Sequence, residues 1–118
     1  MPHDTAQHEA LQIVTTTEHK DDALKIAHLL IERRLAACVQ IVGPVTSVFR
    51  WKGVVERASE WQCWAKTTAA RYTAAETAIR EHHPYDEPEI LAVPIVAGSE
   101  SYLHWLAEEV TQRRTTDG

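Results

Sequence analysis

The chain has 118 residues, 44% of them hydrophobic and 25% charged, and a formal charge of −5. That is the length of one ordinary domain, too balanced in composition for a disordered chain or a coiled coil, and the negative charge opposes a general nucleic-acid binder. No apolar run approaches the ~18 residues of a membrane span, the first residues lack a secretory pattern, and two cysteines make no disulfide scaffold, so a cytoplasmic protein without membrane contact is expected.

The polar ends, residues 1–9 and 113–118, read as frayed tails around a single domain over residues 10–112. Ala10 to Thr17 is apolar and β-branched, hence a strand. Asp21 and Asp22 open a helix whose buried stripe is Ala23, Ile26, Ala27 and Leu30, with Arg33 and Arg34 in its last turn. From Ala37 to Trp51 the chain is strand-like, and Gly43-Pro44 within it demands a bulge or a sheet edge. Lys52-Gly53 reverses the chain, and Val54 to Thr67 runs back. Thr73-x-x-Glu76 has capping-box spacing and starts a second helix, with Ala75, Ala78, Ile79 and His82 on one face and Pro84 at its end. Ile90 to Ala97 forms a further strand, and Gly98-Ser99 leads into a third helix with Tyr102, Leu103, Leu106 and Val110 inward. The order β-α-β-β-α-β plus a C-terminal helix predicts an α+β domain of the split β-α-β type, with helices covering one face of a four-stranded antiparallel sheet.

Two runs of about 15 residues reach roughly 50 Å at ~3.3 Å per residue. A domain of this size has a radius of gyration near ~13–14 Å, so the hairpin is expected to outreach its own core and to join subunits through its edges. Pairing Trp51 with Val54 sets Cys63 opposite Val42 rather than Cys38, so the two cysteines are not expected to bridge, with or without a one-residue shift at Pro44.

Leu35-Ala36-Ala37-Cys38-Val39, Trp51-Lys52-Gly53, Glu60, Lys66-Thr67, His82-His83-Pro84-Tyr85-x-x-Pro88-Glu89-Ile90 and Trp105 together resemble the CutA family over about residues 10–110. The resemblance implies a ferredoxin-like subunit in a stable homotrimer, similar in architecture to the PII signalling proteins. It implies tolerance to divalent cations, chiefly copper, through Cu(II) binding in some members, and no enzymatic activity.

His82 and His83 are the candidate metal ligands, since neutral imidazole suits Cu(II) and Zn(II). Adjacent helical residues point about 100° apart, so sharing one ion requires the helix to unwind before Pro84. The structural alternative is a packed His82 and a helix-end His83. Cys38 is a second possible ligand or simply a small buried hydrophobe. Thr15 stands where some relatives carry a ligating cysteine, and a hydroxyl replaces a soft thiolate poorly. Trp51, Glu60, Lys66, Tyr85 and Glu89 form a second constellation. Glu60 and Lys66 share a strand face about 20 Å apart, so they meet partners only across a subunit boundary. The resemblance places a ligand cleft there, for a small anion or a protein partner; interface ion pairs are the alternative. The four tryptophans read as core and interface packing, and His3 and His8 as weak metal traps in the tail. No phosphate-cradling or nucleophile-elbow motif is present in the sequence.

Overall fold

The β-branched run at the start forms β1 (Ala10–Thr17), an inner strand of the sheet in the computed structural model, which describes residues 9–111. α1 (Lys20–Glu32) follows, with Asp21 and Asp22 in its first turn and Ala23, Ile26, Ala27 and Leu30 buried, as the spacing predicts. Its end differs from expectation. The helix stops at Glu32, and Arg34 takes a left-handed conformation (φ 56°) beyond it. Leu35 N–H then donates to the Leu30 carbonyl at 2.8 Å and Arg34 N–H to that of Ile31 at 3.1 Å. This is a Schellman cap, so Arg33 and Arg34 end the helix rather than extend it.

β2 (Cys38–Trp51) and β3 (Val54–Thr68) form the long hairpin. Lys52 and Gly53 both have positive φ, 52° and 82°, which is the type I′ geometry that matches the strand twist. Pairing runs from Trp51↔Val54 to Val45↔Glu60, then resumes one residue out of step at Val42↔Gln62. Gly43 and Pro44 therefore oppose Trp61 alone, as a bulge. The shift sets Cys63 opposite Ile41 and Cys38 opposite Lys66, and both thiols are free.

The second helix does not begin at a capping box. A 3₁₀ turn (Ala69–Arg71) feeds directly into α2 (Tyr72–His82), so Thr73 lies inside the first turn, and no side chain caps the helix. Ala75, Ala78 and Ile79 are buried as expected, whereas His82 is exposed. β4 (Ile90–Pro94) stops short of Ala97; Ile95 N–H gives one last bond to the Ala10 carbonyl at 2.9 Å. α3 (Glu100–Glu109) is capped by the Ser99 hydroxyl, which accepts from Tyr102 N–H at 3.3 Å. Leu106 and Val110 are buried, but Tyr102 is exposed and Leu103 half-buried.

The strand order is β2-β3-β1-β4, all pairs antiparallel, so each helical crossover skips a strand: the split β-α-β arrangement. Ile13, Cys63 and Ala65 of the sheet pack on Ala23, Ile26 and Leu30 of α1 and Ala78 and Ile79 of α2. α3 lies on the other face. Its Tyr102 meets Cys38, which alternates with the core-packed Val39 and so points away from α1 and α2. The molecule measures 48 × 32 × 22 Å with a radius of gyration of 15.5 Å, above the compact expectation, as the projecting hairpin requires. Of the expected tails, all but Glu9 lies outside the described residues, and the Glu9 carbonyl accepts from Ala69 N–H at 2.8 Å.

Candidate functional site: a groove under the hairpin and a histidine pair

One face of the hairpin carries Ser47, Phe49 and Trp51 on β2 with Glu56 and Glu60 on β3, because strand alternation and the I′ register put them in line. The α2–β4 loop crosses below this face with Tyr85, Asp86, Glu87, Pro88 and Glu89, and the two enclose a groove of about 890 Å³. Four residues of the predicted constellation, Trp51, Glu60, Tyr85 and Glu89, thus line one groove. Lys66 does not: it lies towards the far end of β3, donating to Gln40 Oε1 at 2.7 Å. The groove holds five carboxylates, Glu56, Glu60, Asp86, Glu87 and Glu89, against the single guanidinium of Arg50. A cleft of that sign repels a small anion within a Debye length of ~8–10 Å. The charge surplus was not legible from sequence, because it needs the hairpin face and the α2–β4 loop brought together, which only the fold does.

The floor of the groove is fixed by a hydrogen-bond relay. Tyr85 Oη donates to Glu60 Oε2 at 2.7 Å. Burial first, then this carboxylate, pushes the Tyr85 phenol above its ordinary value, so it stays a donor. Tyr85 N–H donates to His83 Nδ1 at 3.1 Å, which makes Nδ1 the acceptor and Nε2 the protonated nitrogen. Nε2–H in turn donates to the Thr16 carbonyl at 2.8 Å, and the His83 and Tyr85 rings stand 4.8 Å apart. Burial holds the His83 imidazole below its ordinary pKa, against the opposing pull of Thr16, Asp22 and Glu60.

The two histidines therefore have different surroundings. His83 is buried, already outside the helix in extended conformation (φ −82°, ψ 139°) as its place before Pro84 dictates, and both its ring nitrogens are engaged. His82 ends α2 with Nδ1–H donating to the Ala78 carbonyl at 2.9 Å. Its Nε2 lone pair has no partner among the described residues, and the residue lines a shallow hollow of about 400 Å³ between α1 and α2 with Leu24, Lys25, His28, Leu29 and Glu32. Cys38 joins neither: it sits at the start of β2 on the opposite sheet face, against Tyr102. Thr15 is fully buried, its hydroxyl without a partner among the described residues, beside Cys63, whose thiol donates to the Ala23 carbonyl at 3.4 Å and is pushed up to about 12 by burial. Among the described residues no three His, Cys, Asp or Glu groups converge as they stand on a metal position. No helix among them is long and apolar enough to cross a membrane.

The profile of the family described as CutA1 divalent ion tolerance protein matches residues 11–109. The divalent-cation tolerance protein CutA of Thermus thermophilus is 41% identical over 96 residues, covering 81% of this chain and 93% of that protein. Protein CutA of Mus musculus is 36% identical over 87% of this chain and 58% of its own length. Among solved structures, the divalent cation tolerance protein from Thermus thermophilus superimposes with a TM-score of 0.83 at 39% identity, covering 85% of this chain and 97% of that one. The periplasmic divalent cation tolerance protein CutA of Archaeoglobus fulgidus gives 0.84 at 34%, over 86% and 99%. None of these relatives is named for a reaction. The chain belongs to the CutA family of divalent-cation tolerance proteins.

Proposed function

We propose that this protein contributes to divalent-cation tolerance by binding Cu(II), without chemical turnover, as a cytoplasmic homotrimer. The observation that carries the metal reading is the His82 ring. The residue is exposed, its Nδ1–H is tied to the Ala78 carbonyl and its Nε2 has no partner among the described residues, the arrangement in which a backbone carbonyl orients an imidazole for a metal. His83, with both nitrogens in the relay, would have to break one buried and one part-buried hydrogen bond to ligate, so of the pair His82 carries binding. Free thiols at Cys38 and Cys63 fit a reducing compartment.

The trimer reading rests on exposed apolar groups along the hairpin. Val48, Phe49, Trp51, Val54 and Val55 are between 41 and 67% exposed in a single chain. A projecting patch of that kind is a subunit contact more often than a free surface. The acidic groove beside it favours a second reading, in which a cationic ligand or a partner's basic side chain docks under the hairpin. This replaces the small anion that the resemblance suggested.

The test is a Cu(II) titration against a competing chelator, with His3 and His8 replaced by Ala so that the tail does not contribute. His82→Ala is expected to lose binding by about tenfold or more, and His83→Gln to keep it. Equal binding in the parent and His82→Ala chains would overturn the assignment and direct the search to the groove.

A further inference from the structure

The hollow that His82 overlooks holds two more donors. His28 and Glu32 are four residues apart on α1, so their side chains share one helix face with Cβ atoms about 5–6 Å apart. α1 and α2 share one core cluster through Ala23, Ile26, Ala75 and Ile79, and His28 and Glu32 of α1 line the same hollow as His82 in the last turn of α2. We propose that His28 and Glu32 of α1 and His82 of α2 form a surface site for a borderline divalent ion, Zn(II) or Cu(II), across the seam between the two helices.

The donor set is two imidazoles and one carboxylate, which suits both ions, with Cu(II) the tighter by the general order of divalent affinities. One ligand is already oriented: with Nδ1–H held by the Ala78 carbonyl, His82 presents Nε2 as an acceptor. His28, Glu32 and His82 are all exposed. His28 and Glu32 therefore reach the ion by rotating free side chains, without disturbing the core. That rotation is required, since as placed no three such groups converge among the described residues. The site is one assembled by the metal, and its affinity is reduced by the ordering of two side chains. Lys25 also lines the hollow and is exposed, so its ammonium moves to solvent when the ion enters.

This site rests on the reading that His82 carries metal, and it names the partners that the adjacent His83 does not supply. The His28-x-x-x-Glu32 spacing was visible in the sequence, but a search limited to paired histidines passes over it.

The experiment is Zn(II) titration of the full chain, with His3 and His8 replaced by Ala, followed by competition with a colorimetric chelator and by ¹H–¹⁵N spectra of the histidine rings. The ring nitrogens of His28 and His82 are expected to shift with Zn(II) and those of His83 to stay. His28→Ala and Glu32→Gln are each expected to weaken binding about tenfold. The control is His104→Ala, which removes the same His–Glu spacing on α3, where His104 and Glu108 stand 3.8 Å apart, and it is expected to leave affinity unchanged. Loss of binding in His82→Ala with full binding in both α1 variants would overturn the interhelical site while leaving the role of His82 intact. Absence of any Zn(II) or Cu(II) binding in the parent chain overturns both. His28, Glu32, His82 and His104 are exposed, so circular dichroism of their variants is expected to match the parent.

Discussion

His83 shows how one residue's neighbours decide between ligand and strut. Its ring joins Thr16 on β1 to Tyr85 on the α2–β4 loop, and Tyr85 carries the connection on to Glu60 on β3. Because burial depresses its pKa, the folded state prefers the neutral ring. The unfolded chain then binds a proton near the ordinary 6.5 that the folded one does not, so His83 contributes stability that is present above that pH and is lost as pH falls through its lower folded value. Between pH 7 and pH 5 the parent is expected to lose more stability in urea than His83→Gln, whose amide can both donate to Thr16 and accept from Tyr85 without titrating. Parallel pH profiles for the two chains would show that the ring does not titrate in this way. The sequence offered both His82 and His83 as ligands, with a packed His82 and a helix-end His83 as the structural alternative. The structure reverses that alternative, burying His83 in the extended conformation before Pro84 and leaving His82 exposed. Thr15 is the same lesson reversed: the resemblance marked it as a ligand position, yet its hydroxyl is buried in the core with no hydrogen-bond partner among the described residues.

At the scale of elements, the hairpin was largely legible, because a two-residue turn and strict alternation fix a register. Pro44 pointed to a bulge or a sheet edge, and the structure has the bulge; the unbroken count from Trp51↔Val54, which set Cys63 against Val42, is therefore one residue out, and Cys63 faces Ile41. The reason glycine precedes the proline was not visible. A Cβ on Gly43 would stand 2.8 Å from Trp61 Cε3 and 3.1 Å from the Glu60 carbonyl oxygen. Gly43→Ala must therefore displace an indole ring or strand backbone, and is expected to cost about 1–3 kcal/mol in chemical denaturation. A loss well below that would mean the Trp61 ring yields freely. Helix ends were less readable than strands. Thr73 and Glu76 have capping spacing, but Arg71 Nε reaches back to the Arg34 carbonyl at 3.4 Å and Ala69 N–H to the Glu9 carbonyl, and those tertiary bonds start the turn ahead of Thr73. Local pattern loses where distant backbone supplies the partner.

At the scale of the molecule, the fold sets an apolar, acidic-flanked arm beyond its own core. β2 and β4 are the sheet edges, and the far half of β2 has only β3 beside it. A two-stranded ribbon projecting into water is marginal by itself, so one of this length argues for contact with further chains. Val48 and Val55 face the same side of the ribbon and are among its most exposed apolar groups. Burying a valine fully is worth about 1.5–3 kcal/mol, and a closed ring of three would repeat the gain in each subunit. Sedimentation equilibrium is expected to find the parent chain trimeric at micromolar concentration. The Val48→Ser, Val55→Ser double variant is expected to dissociate at least about tenfold more readily while keeping the parent's far-ultraviolet spectrum. A monomeric parent would refute assembly through the hairpin. A trimer indifferent to the double variant would place the contact instead on the other ribbon face, where Phe49 and Trp51 border the acidic groove. In that arrangement the groove becomes a chamber closed by a neighbour, and its five carboxylates would face a partner's basic groups rather than solvent.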